Sequence, residues 1–213
     1  MWKRAILIGT GAVAALAIAG CSSGDSTAGH SAGHGSSAAT SATAKPNAAD
    51  HNDADVMFAQ QMIPHHQQAV EMSDVVLARQ GVDPRVTDLA TAIKAAQGPE
   101  ITEMQGWLGQ WGSPPMPPME SGEGHGGHDM GSMSGDAMGL MSDEEMAALK
   151  NADGVEASRL FLTGMIGHHE GAIDMAQNEI KGGKFAPAVD MARTIVKTQQ
   201  EEIDTMKGLL TTL

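Results

Sequence analysis

Tyrosine is absent from this chain of 213 residues, phenylalanine and tryptophan occur three times each, and there is one cysteine, Cys21. A single cysteine excludes an internal disulfide. The missing tyrosine removes the side chain that radical-forming metal oxidases ordinarily use. With so few aromatics, the core falls to Ala, Leu, Ile, Val and an unusual 16 Met. Basic residues are scarce as well. The 13 Lys and Arg face 26 Asp and Glu, and the formal net charge of −13 excludes nucleic acid as a partner, because nothing would neutralise the phosphates. The same acidity favours attraction of cations outside the cell. Neither Glu-x-x-His nor His-Glu-x-x-His occurs, so two familiar catalytic metal patterns are missing; His169-Glu170 lacks the later His.

The first residues address the compartment. Lys3 and Arg4 precede an apolar run from Ala5 to Ala19, which ends in Ile18-Ala19-Gly20-Cys21. A basic start followed by so short an apolar run reads as a secretory leader rather than a membrane span. Small residues directly before the lone cysteine resemble a lipobox, so residues 1–20 are expected to be a lipoprotein-type signal peptide. Cys21 would then be the lipidation site, holding an exported protein on the extracytoplasmic side of the cell membrane. An ordinary signal peptide with a spare cysteine, or an uncleaved anchor, is the competing reading. Residues 21–52 are Ser, Ala, Thr and Gly with almost no large apolar residue, the composition of a disordered, flexible tether. His30, His34 and His51 within it read as incidental.

Beyond the tether the chain repeats itself. The segment from Phe58 to Met72 matches Phe161 to Met175 at one constant offset, and Ile93 to Leu108 matches Ile195 to Leu210 with the offset shifted by one residue. Each half reads as two helices. The first runs from about Asp53 to Gln80 and stops at Gly81. Asp83-Pro84 opens the second as N-cap and first helical residue, and that helix runs to about Gln110. In the second half a helix from near Gly154 ends at Gly182-Gly183, and Pro187 opens the last one. Ser142 and Glu145 form a capping box for a short extra helix. The expected fold is all-α, an antiparallel four-helix bundle built from two tandem helical hairpins, 53–111 and 142–213. A long Gly/Pro/Met/His-rich crossover, 112–141, joins them.

The chemistry lies on the inward faces. At about 100° per residue, His65 and His66 straddle the same helix face as Phe58, Met62, Ala69 and Met72. His168 and His169 do so with Phe161, Met165, Ala172 and Met175. On the second helix of each half, Gln97, Glu100 and Met104, and likewise Gln199, Glu202 and Met206, share an otherwise apolar stripe. A buried carboxylate or amide needs a partner, and facing histidines or a metal held by them would supply one. One inward His-His pair would read as core histidine bridged to glutamate, and a Met stripe as core filler. Two such pairs at matching places, each flanked by Met, point to a metal site with His65, His66, His168, His169, Met62, Met72, Met165 and Met175 as ligands. Gln97, Glu100, Met104, Gln199, Glu202 and Met206 are secondary candidates. Imidazole with thioether suits copper, Cu(I) first and Cu(II) also, with zinc behind. The carboxylates are too few and scattered for magnesium or calcium. Pro64 and its counterpart Gly167 are expected to bend or loosen both first helices just before the histidines.

The crossover carries Met116, Met119, His125, His128, Met130, Met133, Met138 and Met141 in a polar, Gly-rich stretch with no core to join. They form either a second, copper-capturing arm or a solvated low-complexity linker.

These two blocks resemble the family known as domain of unknown function 305 (DUF 305). The resemblance covers roughly Asp53 to Leu213 and rests on the duplicated Met-x-x-His-His and the Gln-x-x-Glu-Ile-x-x-Met blocks at 97–104 and 199–206. It implies a ferritin-like four-helix bundle and a copper-handling, extracytoplasmic role. The family's acidic residue before the first Phe is present as Asp55 but replaced by Ser158 in the second half, and Gly98-Pro99 interrupts the first Gln-Glu block. The leading expectation is a non-enzymatic lipoprotein that sequesters copper or delivers it to an unidentified copper-handling partner. A ferritin-like metal oxidase and a non-catalytic interaction module are the alternatives.

Overall fold

A computed structural model describes residues 50–115 and 138–213. Among these residues the fold is all-α, with five helices and no strand: α1 (Asp53–Leu77), α2 (Pro84–Trp111), α3 (Asp143–Asn151), α4 (Gly154–Gly182) and α5 (Ala186–Leu210). Residues 1–49, with Cys21 and most of the tether, and the crossover residues Met116, Met119, His125, His128, Met130 and Met133 lie outside the described residues, whereas the tether's last residue, Asn52, is built into the start of α1.

Local chemistry sets the helix ends. Asn52 caps α1 by accepting from the backbone N–H of Ala54 and Asp55, while Asp55 reaches back to the Asn52 N–H. Asp83 caps α2 with Pro84 as the first helical residue, and Ser142 with Glu145 forms the expected box at α3. Gly112 caps α2 with a φ of 66°, whereas α1 ends at Leu77 with Ala78 as its cap, three residues before the expected Gln80, and Gly81 takes a φ of 70° in the turn that follows. Both α1 and α4 run as continuous helices through Pro64 and Gly167, because one missing backbone bond is outweighed by packing along the rest of a long helix.

α1 packs along α2, α4 packs along α5, and the two pairs meet mainly through α1 and α4, while α2 and α5 scarcely touch. The buried side chains form two apolar clusters. One holds Phe58, Met62, Met104, Trp107, Leu108, Ala172, Met175, Phe185 and Ile195. The other holds Met72, Val76, Val86, Ile93, Phe161, Leu162, Met165, Ile203 and Met206. Each cluster therefore draws on both helix pairs, and Met62, Met104 and Met175 in one correspond to Met165, Met206 and Met72 in the other. Along every long helix the residues between the clusters are polar: His65 and His66, Gln97 and Glu100, His168 and His169, Gln199 and Glu202. A polar belt separates two methionine-bearing cores.

Met138 and Met141 correct the reading of the crossover. They were expected to have no core to join, yet both are buried, Met138 in the first cluster and Met141 in the second. The reason lies on α4. Gly171 and Gly164 are so close to this segment that an added Cβ would stand 1.8 Å from the Met138 carbonyl oxygen and 2.5 Å from Met141 Sδ. Two missing side chains on α4 make the groove that receives residues 138–141.

Candidate metal centre

All four belt histidines are buried, His65 at 1 % exposure and His66, His168 and His169 at 0 %. Four imidazoles in an apolar interior are costly unless their ring nitrogens find partners. Each finds one partner, at Nε2. His66 Nε2 lies 2.8 Å from Glu100 Oε2 and His169 Nε2 2.7 Å from Glu202 Oε2. His65 Nε2 lies 2.9 Å from the Met138 carbonyl oxygen, and His168 Nε2 2.9 Å from the His65 carbonyl oxygen. Carbonyl and carboxylate oxygens accept, so Nε2 is the donor in every case. The Nδ1 atoms of all four rings are buried and have no hydrogen-bond partner.

Burial pushes His65 down to about 3. The bond to Met138 opposes this, and the neighbouring His66 and His169 add to it. His168 is held well below the ordinary histidine range by burial and then by His65, His169 and His66. Both rings are therefore neutral near pH 7, and with Nε2 donating, Nδ1 carries the lone pair. Their centroids are 3.7 Å apart with the planes tilted by 43°. His66 and His169 stand off to the sides, 6.5 Å from His65 and 6.3 Å from His168 respectively, as adjacent residues on a helix must.

The amides are less well served than the carboxylates. Glu100 and Glu202, about one-fifth exposed, have their histidines. Gln97 is buried with neither end of its amide partnered, and Gln199 is buried with Oε1 unpartnered. Met62, Met72, Met104, Met165 and Met206 are fully buried and Met175 nearly so. The histidines and glutamates are thus brought together at the belt, while the methionines sit on its two flanks. Among the described residues, no group of three or more His, Cys, Asp or Glu is arranged to hold a metal ion.

Two features escaped the sequence reading. One is the backbone of Met138, which fixes His65. The other is a pair of buried carboxyls, Asp55 and Glu179, at one end of the domain. Asp55 accepts from the backbone N–H of Asn52, Lys184 and Phe185. Glu179 finds no partner except Asp55; burial first, then that contact, raise it to about 8.

An all-α domain with a buried histidine belt between two methionine-bearing cores is the class that fold and site define. The chain belongs to the family described as domain of unknown function (DUF305), which it matches over residues 55–210. It is similar to the solved DUF305 fragment from Deinococcus radiodurans, at 32% identity and a TM-score of 0.65, covering 77% of this chain and 99% of that one. A family member from Streptomyces coelicolor, named as a secreted protein, is 34% identical with a TM-score of 0.64, covering 75% and 91% of the two chains. CopM in its Cu(II)-bound form is 31% identical with a TM-score of 0.59, covering 74% and 96%, and CopM has also been solved with Cu(I) and with Ag. Among curated proteins, none matches this chain.

Proposed function

We propose that this protein is an extracytoplasmic copper-binding lipoprotein that holds copper, chiefly as Cu(I), within a ferritin-like four-helix bundle for sequestration or delivery. The carrying observation is the set of four buried, unpartnered Nδ1 atoms between two methionine-bearing cores. Each ring is oriented from behind by an acceptor at Nε2, the arrangement that fixes the tautomer and raises the basicity of a metal-ligating imidazole. The metal-binding face is thus Nδ1, on His65, His66, His168 and His169.

Buried imidazoles flanked by thioethers favour copper over zinc. Zinc sites ordinarily close with three or four nitrogen or oxygen donors, whereas Cu(I) accepts one or two imidazoles completed by thioethers. The candidate thioethers are Met62, Met72, Met165 and Met175, backed by Met104 and Met206. Glu100 and Glu202 act behind the histidines rather than on the ion. Similarity to CopM, which is known in Cu(I)-bound and Cu(II)-bound forms, supports the same assignment. The role is cargo holding rather than turnover. Membrane attachment in this reading falls to Cys21, and no described helix is long and apolar enough to cross a membrane.

The test is a titration of the domain with Cu(I) against a competing chelator. Competitive uptake by the wild type, lost when His65, His66, His168 and His169 are all replaced by Ala, is the expected outcome. Equal uptake by that variant would falsify the assignment.

A further inference from the structure

The His65–His168 pair is buried, so an ion has to be let in. Residues 138–141 form a strap, turning at Gly139, that lies against the pair: its Met138 carbonyl meets His65, and Gly139 packs on the Gly167 carbonyl. Beside the strap, a groove of about 540 Å³ lined by Gln60, Gln61, Pro64, Gln105 and Met138 has His65 in its wall. Met138 and Leu140 of the strap line this groove together with His65, so the strap stands where the groove meets the buried pair.

Two dissimilar walls hold it. On α4, Gly171 and Gly164 let its backbone and the Met141 side chain come closer than any other residue would allow, and a Cβ on Gly139 of the strap would meet the Gly167 carbonyl oxygen at 2.0 Å. Gly139 also has a φ of 69°. At the matching places on α1 stand Gln61, Pro64 and Gln68, and Gln68 grips the strap. Its Nε2 donates to the Met141 carbonyl oxygen and its Oε1 accepts the Met141 N–H, both at 2.9 Å. A single amide matched in both directions to one backbone unit fixes position as well as distance. Three residues away, the Met138 carbonyl oxygen accepts from His65 Nε2.

A loop that only covered the core would not need to touch the histidine. This one supplies the acceptor that keeps the His65 proton on Nε2. We propose that Gln68 is a positioning residue for metal binding: it latches the 138–141 strap, and the strap both orders His65 and gates the ion's way from the groove to the His65–His168 pair. This rests on the copper reading above. An ion on Nδ1 makes the Nε2–H a stronger donor, so loading tightens the strap. By linkage, a closed strap strengthens ion binding by the same factor.

The experiment uses Ag(I), a redox-inert probe of the Cu(I) site, with two variants of the full chain. Gln68→Leu removes the latch from the α1 side, and Gly171→Ala pushes the strap away from the α4 side. Backbone hydrogen exchange at Met141, measured without metal, reports the strap itself. Removing two ordinary hydrogen bonds should speed that exchange about tenfold or more. Release of Ag(I) to a chelator should accelerate by a similar factor, with the number of ions bound unchanged. Should Gln68→Leu not fold, Gly171→Ala carries the same expectation. Faster strap exchange with wild-type release rates would overturn the gating proposal while leaving the copper reading intact. A wild type that takes up neither Ag(I) nor Cu(I) would overturn both.

Discussion

The two helix pairs agree in the histidine–glutamate contacts of the belt and part company at the ends. At the belt, His66 and His169 meet Glu100 and Glu202 at 2.8 and 2.7 Å, and their Nδ1 atoms are equally unpartnered. At the ends, corresponding positions solve one task differently. Asp55 ties α1 to the start of α5 through the N–H groups of Lys184 and Phe185. Ser158 ties α4 to the start of α2 by accepting from the Asp83 N–H at 3.1 Å. Beside Asp55 stands Glu179; the residue matching Glu179 is Val76, and both are buried. The lesson is one of constraint. In the copper reading proposed above the belt has to supply matched donors, whereas an end only has to close a turn, and either a carboxylate or a hydroxyl closes it.

The comparison can be broken by pH, where the largest effect is expected. Glu179 is raised to about 8 in the folded chain, so the folded state binds a proton that the unfolded state has released. Its contribution is complete below the ordinary carboxylate range and is lost as pH rises through about 8. Denaturant unfolding between roughly pH 6 and pH 9 should show the wild type losing on the order of a few kcal/mol. Glu179→Gln should flatten that loss. His65 has the opposite sign. Its folded value of about 3 lies below the unfolded 6.5, so its contribution is present above 6.5 and disappears as pH falls toward 3. Acid should loosen the belt and alkali the Asp55 end.

A smaller effect tests the likeness of the two belt pairs. Glu100→Ala and Glu202→Ala each leave a buried Nε2–H without an acceptor, a loss of about 2 kcal/mol. The two losses should agree in thermal or chemical unfolding, and clearly unequal values would show that the pairs are not equivalent. The smallest effect separates two glycines on α4. Gly171→Ala collides with the Met138 carbonyl and should cost about 1–2 kcal/mol. Gly167→Ala has nothing within 4 Å of its new Cβ, so it should gain about 0.5–1 kcal/mol from helix propensity. Melting temperatures moving in opposite directions are the expected result.

Much of this was legible in the sequence, and what was not has physical causes. Caps at Asp83 and Ser142 are local chemistry, so these helix starts could be placed from neighbouring residues alone, while α1 ends at Leu77, short of the stop expected at Gly81. The belt was legible because helical period puts His65 and His66 on the face that also carries Met62 and Met72. Burial of Met138 and Met141 was not, because it depends on a groove made by missing side chains on another helix. Gly164 and Gly171 show no such purpose until the strap is seen against them. Which histidine nitrogen is free was equally hidden, since it follows from acceptors as distant in sequence as Met138 and Glu100. The pairing of Asp55 with Glu179 joins opposite ends of the domain sequence, and no periodicity announces it.

The central claim is that the four Nδ1 atoms form the metal face, and long-range proton–nitrogen NMR of ¹⁵N-histidine protein tests it most directly. The spectrum is recorded before and after addition of Ag(I). The account predicts that Nε2 stays protonated on all four belt rings and that silver shifts, or couples to, Nδ1 of the His65–His168 pair. Silver bound at full stoichiometry with every belt Nδ1 resonance unmoved would contradict it.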